Sequence, residues 1–514
     1  MVFLLAFVAL MGIHAGALFD PPYWDGLVGA FSQGLWFANH DFDVVRLITA
    51  EKTCPDGGPN VYPFSLYPLA IGALYASGLE PRFVFLVVHL AVLASAASAI
   101  VACLAISRAA TSATNAVLVT MVLATLPMFH ALSAQMNMDM PLLAFTLASM
   151  RAMQRGAPGR ACLLAAGALL VLPRGVILVG ANTVALLALA RARSRLENAP
   201  ALTRGELLRG FAGHAALLLV FAAQVLVSSL YSSGPAFVSW FEGFRDLALR
   251  ISRLVPDLVL VLGLALACSV AVAARLRSGR ASWTGVLLAA FVVVFAAFFG
   301  QYTNTLPRYL LQSQLPAVLL VLLVVDSLPF VRRLVVPLLV ATCVFQVANH
   351  TGELYPRVPS GWHVPGYAEA GGPSNDGHVL ERSMAYRDDL ELNRRVAAEL
   401  EAYDRARTLV VAPWPLTHAL AFPELGYVER AWRTSSPSVP ITFDPNAVPL
   451  ADLYDFRRSP PMQRYPGDVV WVLVPSVYMP ARLALQTSID AVERVVERGA
   501  HRAFVVRRTG WSVR

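Results

Sequence analysis

Four charged side chains stand where an apolar chain is least expected to carry charge. Asp25 closes the run Phe19-Asp20-Pro21-Pro22-Tyr23-Trp24-Asp25, and Asp139 opens Asp139-Met140-Pro141-Leu142. Arg174 sits in Pro173-Arg174-Gly175, and Arg308 in Pro307-Arg308-Tyr309-Leu310. A carboxylate at the edge of a hydrocarbon region is unfavourable unless it is hydrated, paired or bound to metal. One such acid acting as a general base, with the other contacting a metal or an acceptor, is a workable arrangement. A guanidinium at headgroup level suits a lipid phosphate. Each has a plainer alternative. Asp25 fits as a cap for the helical stretch after it and Asp139 as a cap with Pro141 in the first turn. Arg308 and Arg174 fit as side chains snorkelling to the headgroups.

Aromatic side chains accompany these charges. Tyr23, Trp24, Trp36, Tyr62 and Tyr67 have faces on which a sugar stacks, or they form an interfacial belt. His130 and Gln135 fall at the same level and read as interfacial.

The elements that must position these groups are apolar helices. The chain has 514 residues, of which 57% are hydrophobic and 14% charged. Apolar runs long enough for a hydrocarbon core of about 30 Å recur over the first two thirds. They are continuous rather than alternating, so helices and not a barrel are predicted. We place about eleven crossings, at roughly 2–18, 82–106, 112–130, 138–153, 161–172, 174–190, 211–230, 256–274, 284–300, 308–325 and 334–348. The net charge of +8 is carried by arginine, since Lys52 is the sole lysine. These arginines lie between apolar runs, which points to membrane topology and away from nucleic acid. The loops with Arg108, with Arg151, Arg155 and Arg160, and with Arg191, Arg193 and Arg195 share one side only if the chain reverses at Pro173-Arg174-Gly175. The N-terminus is then cytoplasmic, its first segment an uncleaved anchor, and the C-terminal domain extracytoplasmic. The four cysteines in or beside spans and Cys54 suggest neither a disulfide framework nor a zinc site.

Three outer segments result: 19–81, 231–255 and 301–308. Within the first, Leu27, Phe31, Leu35 and Ala38 recur at helical spacing, which predicts an amphipathic helix in the interface plane. After about 350 the composition changes. Residues 351–380 read as an irregular linker, 388–405 as a charged amphipathic helix, 407–412 and 468–475 as strands, 488–498 as a helix and 502–507 as a final strand. The expected fold is mostly α: a polytopic transmembrane helical bundle over 1–348, with a C-terminal soluble α/β domain over 349–514.

These motifs, in this order, resemble the polytopic glycosyltransferases of the GT-C fold. The group is that of protein O-mannosyltransferases and bacterial aminoarabinose transferases. Pro-Pro-Tyr-Trp-Asp25-Gly26-Leu resembles the acidic motif opening that family's first outer loop, with Gly26 where glutamate is common. Tyr62-Pro63-Phe64-Ser65-Leu66-Tyr67-Pro68 resembles its closing segment, with Tyr62 where some members have lysine. Asp139-Met140-Pro141-Leu142 and Arg308-Tyr309-Leu310-Leu311 through Leu315-Pro316 match two further elements. The resemblance covers roughly 19–325. It implies a polyprenyl-phosphate-linked sugar donor, a lipid, glycan or protein acceptor, inverting transfer, and an outer-face site in the plasma (inner) membrane. Asp25 is then the general base, Arg308 and Arg174 the groups that stabilise the leaving phosphate, and Asp139 a second acid for acceptor or a divalent metal ion. Tyr62, Asp20 and Trp24 complete the substrate-binding set. Two other classes compete. A transporter or flippase predicts repeats, broken helices and midplane charge. A noncatalytic envelope assembly scaffold predicts tolerance to loss of Asp25.

Overall fold

The computed structural model describes residues 1–23, 26–44, 65–231, 256–279, 281–299, 307–325, 329–350, 383–412, 416–435, 441–442, 463–464, 468–473, 490–498 and 501–508. By its contacts the chain divides into two compact units. One comprises Met1–Ala15, Phe64–Leu66 and His89–Pro356; the other comprises Gly16–Pro63, Tyr67–Val88 and Arg357–Arg514. Most of the segment 19–81 is therefore grouped with the C-terminal domain.

The first unit is helical because its apolar runs leave no backbone partner but their own. Its helices are α1 (Val2–Ile13), then, after α2 (Ser32–Asn39) and α3 (Leu66–Ala76) of the other unit, α4 (Pro81–Ala110), which begins in that other unit. They continue with α5 (Ala113–Thr125), α6 (Pro127–Ala134), α7 (Asp139–Gln154), α8 (Pro158–Val171), α9 (Val176–Ala192) and α10 (Arg204–Tyr231). The last four are α11 (Pro256–Arg277), α12 (Trp283–Phe299), α13 (Leu311–Val325) and α14 (Pro329–Ala348). Each of the eleven expected segments thus holds a helix. Among the described residues, four helical stretches are long and apolar enough to cross a membrane: Pro81–Ala110, Pro173–Arg195, Arg204–Leu226 and Arg308–Val325.

Two expectations are corrected here. Residues 112–130 are not one straight span, because α5 and α6 bend by 52° at the break before Pro127. Proline lacks the amide that would continue the helical ladder and pushes Leu126 into an extended conformation. The 26–38 stretch is not an interfacial amphipathic helix. It is a π-helical turn, Gly26–Phe31, followed by α2, and its polar residues Ser32 and Gln33 are buried along with Leu27, Phe31 and Leu35. A Cβ on Gly34 would come within 2.7 Å of Ile71 Cγ2, and one on Gly72 within 2.8 Å of the Gly34 carbonyl oxygen. This glycine pair lets α2 and α3 approach backbone to backbone, which leaves no open polar face.

Within the helical unit α7 packs on α8, α9 on α10 and α12, and α11 on α12 and α13. Phe291, Phe295 and Phe299 of α12 form a buried ladder, with ring centroids 6.3 and 4.6 Å apart.

The C-terminal domain carries a five-stranded mixed sheet. Its strands are β1 (Thr408–Val411), β2 (Arg433–Ser435), β3 (Asp468–Leu473), β4 (Asp490–Arg498) and β5 (His501–Arg508). The order is β2-β1-β3-β5-β4, parallel among the first three and antiparallel thereafter. Helix α15 (Tyr386–Leu400) buries Leu390, Asn393, Val396, Ala397 and Leu400 and packs on β4 and β5. Strand β4 corrects the helix expected at 488–498. Val492, Val495 and Val496 pair with Val506, Phe504 and Ala503, and a bulge between Val492 and Arg494 breaks the two-residue alternation.

Candidate active site

Asp139 is the first residue of α7 and does not cap it. The cap position is Met138, with no side-chain cap bond. The Asp139 amide instead donates to Asn137 Oδ1 at 3.0 Å, which frees its carboxylate to point elsewhere. The turn into α7 is tight. Met136 adopts φ 54°, a left-handed conformation that disfavours a side chain by about 1–3 kcal/mol. His89 Nε2 lies 2.8 Å from the Ala134 carbonyl at the end of α6 and fixes the start of this turn.

Two arginines converge on that carboxylate. Arg174 Nη2 donates to Asp139 Oδ1 at 2.7 Å, and Arg308 Nε lies 3.7 Å from Asp139 Oδ2. Asp139 and Arg308 are 5% and 3% exposed, so this is a buried ionic cluster that water screens little. Tyr309 organises it further. The Arg174 guanidinium lies 3.8 Å from the Tyr309 ring centroid and that of Arg308 5.1 Å, while the ring stacks on Phe299. The α12 phenylalanine ladder thus ends against the tyrosine that supports both cations. Ser65 extends the neighbourhood, its hydroxyl donating to the Val171 carbonyl at 2.7 Å just before the Arg174 turn.

The turn that carries Arg174 depends on Gly175. A Cβ there would lie 2.4 Å from both the Ala168 carbonyl carbon and the Leu169 nitrogen, where backbone cannot give way. Gly175→Ala is expected to destabilise the helical unit by about 1–3 kcal/mol and to displace Arg174. The checks are a lowered melting temperature and loss of the Arg174–Asp139 ion pair in the variant's structure. Gly159→Ala, with nothing within 4 Å, should change neither.

The remaining predicted residues are placed as follows. Asp20 pairs with Arg394 at 3.2 Å and Arg387 at 3.6 Å, in the unit that holds the C-terminal domain. Asp25, Trp24 and Tyr62 lie outside the described residues. Tyr23 and Trp36, considered as sugar-stacking faces, are buried: Tyr23 packs on Tyr386, and Trp36 stacks on His40 with centroids 4.3 Å apart. His130 pairs with His14, Nδ1 to Nε2 at 3.2 Å. Tyr309 was not predicted as a site residue; its adjacency to Arg308 was the available signal. A divalent cation fits poorly at Asp139, since both oxygens face guanidinium groups. Among the described residues no cluster of three His, Cys, Asp or Glu side chains is placed to hold a metal.

Fold and composition define an integral membrane protein: a bundle of apolar helices with a C-terminal mixed-sheet domain. No family model matches the sequence, and no curated protein matches it. Among solved structures, ArnT from Cupriavidus metallidurans in the apo state is similar at 14% identity over 97% of both chains, with a TM-score of 0.46. The same protein bound to undecaprenyl phosphate gives 14% identity, 97% of both chains and a TM-score of 0.43. Scores of this size leave reaction and site residues to be judged from the chain's own geometry.

Proposed function

We propose that the protein is a membrane glycosyltransferase that moves a sugar from a polyprenyl-phosphate donor to an acceptor hydroxyl at the outer face, with inversion. The observation that carries this function is the buried convergence of Arg174 and Arg308 on Asp139. Guanidinium groups held in a fixed fork suit a phosphate, and stabilise charge that develops on it as a bond breaks. Asp139 and Tyr309 hold them in place before any ligand arrives.

The chemistry is a single displacement. The acceptor oxygen attacks the anomeric carbon, and the bond from that carbon to the phosphate oxygen breaks on the opposite face. Asp25, assigned by the family resemblance, takes the hydroxyl proton. The leaving polyprenyl phosphate gains the electron pair, and Arg174 and Arg308 compensate the added negative charge.

The test uses the full chain in lipid nanodiscs with undecaprenyl-phosphate mannose and undecaprenyl-phosphate aminoarabinose as donors and a membrane lipid and glycan extract as acceptor. One donor should release undecaprenyl phosphate in an acceptor-dependent way, with inverted anomeric configuration in the product. Arg308→Gln should weaken binding of undecaprenyl phosphate by roughly 10- to 100-fold, the span of one charge-assisted hydrogen bond. Movement of donor across vesicles with no transfer would make the protein a transporter instead.

A further inference from the structure

The segment that leads into Asp25 is fastened by the C-terminal domain at several independent points. Tyr23, buried, donates its hydroxyl to Asp389 Oδ2 at 2.7 Å, and Asn393 Nδ2 donates to the same oxygen at 3.2 Å. The Tyr23 ring packs on Tyr386, with centroids 5.4 Å apart. Asp20 is held by Arg394 and Arg387, and Arg387 also donates to the Gly16 carbonyl at 3.1 Å. The Tyr427 hydroxyl donates to the Pro22 carbonyl at 2.8 Å. Burial, opposed by Arg394, raises the pKa of that hydroxyl well above the usual tyrosine range, so it stays a donor at physiological pH. Pro21 and Pro22 restrict the backbone between these anchors.

Residues 26 and 27 are tied to Tyr23 as well. The Tyr23 carbonyl accepts from the Gly26 amide at 3.1 Å and from the Leu27 amide at 3.4 Å, and Leu27, Ala30 and Phe31 are buried. Tyr23 is therefore the hinge pin of this stretch: its side chain is tied to α15, and its carbonyl to the helical turn that follows Asp25.

We propose that Asp389 is a positioning residue for transfer: by accepting from Tyr23, it makes the C-terminal domain hold the loop that presents Asp25. The proposal rests on Asp25 being the base. It gives the domain a part in turnover and none in donor binding. A catalytic base must stay within hydrogen-bond reach of its proton, and small misplacements lower rates steeply.

The test uses the full chain and the transfer assay above. Tyr23→Phe removes one hydroxyl and keeps the ring; Asp389→Leu removes the acceptor; Asp389→Asn keeps an oxygen for Tyr23 and Asn393. Tyr23→Phe and Asp389→Leu should each lower kcat by about 10- to 100-fold. Their Kd for undecaprenyl phosphate should be unchanged, and Asp389→Asn should restore most of the rate. In an Asp25→Asn background neither change should lower the residual rate further, because the group being positioned is gone. Wild-type kcat in Tyr23→Phe, with Asp25→Asn inactive, would overturn the positioning role alone. Wild-type kcat in Asp25→Asn would overturn both the base and the role built on it. Losses in kcat matched by equal losses in phosphate binding and in melting temperature would show a structural part only, and would also overturn the proposal.

Discussion

Asp25→Asn is expected to lower transfer by about 100- to 10,000-fold, the range a positioned proton acceptor contributes, while binding of undecaprenyl phosphate stays at the wild-type level. The amide has the size of the carboxylate but cannot take a proton at neutral pH. Gly26 stands where the resembling family commonly has glutamate. Asp20, the nearest acid along the chain, is engaged by Arg387 and Arg394. The two readouts are single-turnover release of undecaprenyl phosphate from the sugar-linked donor and equilibrium binding of undecaprenyl phosphate alone. A variant that turns over at the wild-type rate would remove Asp25 from the mechanism. One that also loses phosphate binding would mean that Asp25 supports the donor site and is not its base.

The sequence made the membrane helices legible because hydrocarbon solvent imposes one requirement on every spanning segment, a continuous apolar run. A break at Pro173-Arg174-Gly175 was legible too, since helix-breaking residues fall there, and a short turn separates α8 from α9 at that point. The ionic cluster was not legible as a cluster. Asp139, Arg174 and Arg308 come from three helix ends distant in sequence, and each alone reads equally well as a cap or a snorkelling cation. Only the packing of α7, α8 and α13 brings them together. Strand β4 misled for a local reason. Glu493 and Glu497, then Arg494 and Arg498, repeat at four residues as on a helix face, and the bulge after Val492 hides the strand's alternation. Antiparallel pairing with β5, a tertiary effect, decides its conformation. The 26–38 segment failed similarly: spacing showed one apolar face, but the Gly34–Gly72 approach buries the other.

The tether at Tyr23 shows why the soluble domain cannot be read as an appendage. Asp389 lies in the first turn of α15, within the stretch expected to form a charged amphipathic helix. It is buried, and its partner is a tyrosine 366 positions earlier. A buried carboxylate requires hydrogen-bond donors, and Tyr23 and Asn393 supply them. The domain's amphipathic helix therefore directs inward polar positions to Tyr23, while its apolar face packs on β4 and β5.

Asp139 provides the sharpest separation of structure from ligand binding. Removing one partner of a buried ion pair leaves the other charge uncompensated, typically at a cost of about 3–5 kcal/mol. Asp139→Leu should therefore lower the apparent melting temperature markedly, with Arg174 and Arg308 left to repel each other beside Tyr309. Asp139→Asn retains the shape and one acceptor for Arg174, so its loss should be smaller. The two guanidinium groups then lack an anion, and a phosphate bound between them would supply it. Undecaprenyl phosphate should therefore raise the melting temperature of Asp139→Asn by more than it raises that of the wild type. Inorganic phosphate, lacking the lipid, should do so weakly. If Asp139→Asn melts like the wild type, the carboxylate does not hold the two arginines. If the lipid stabilises both proteins equally, the phosphate binds elsewhere, and the charge compensation proposed for the leaving group falls with it.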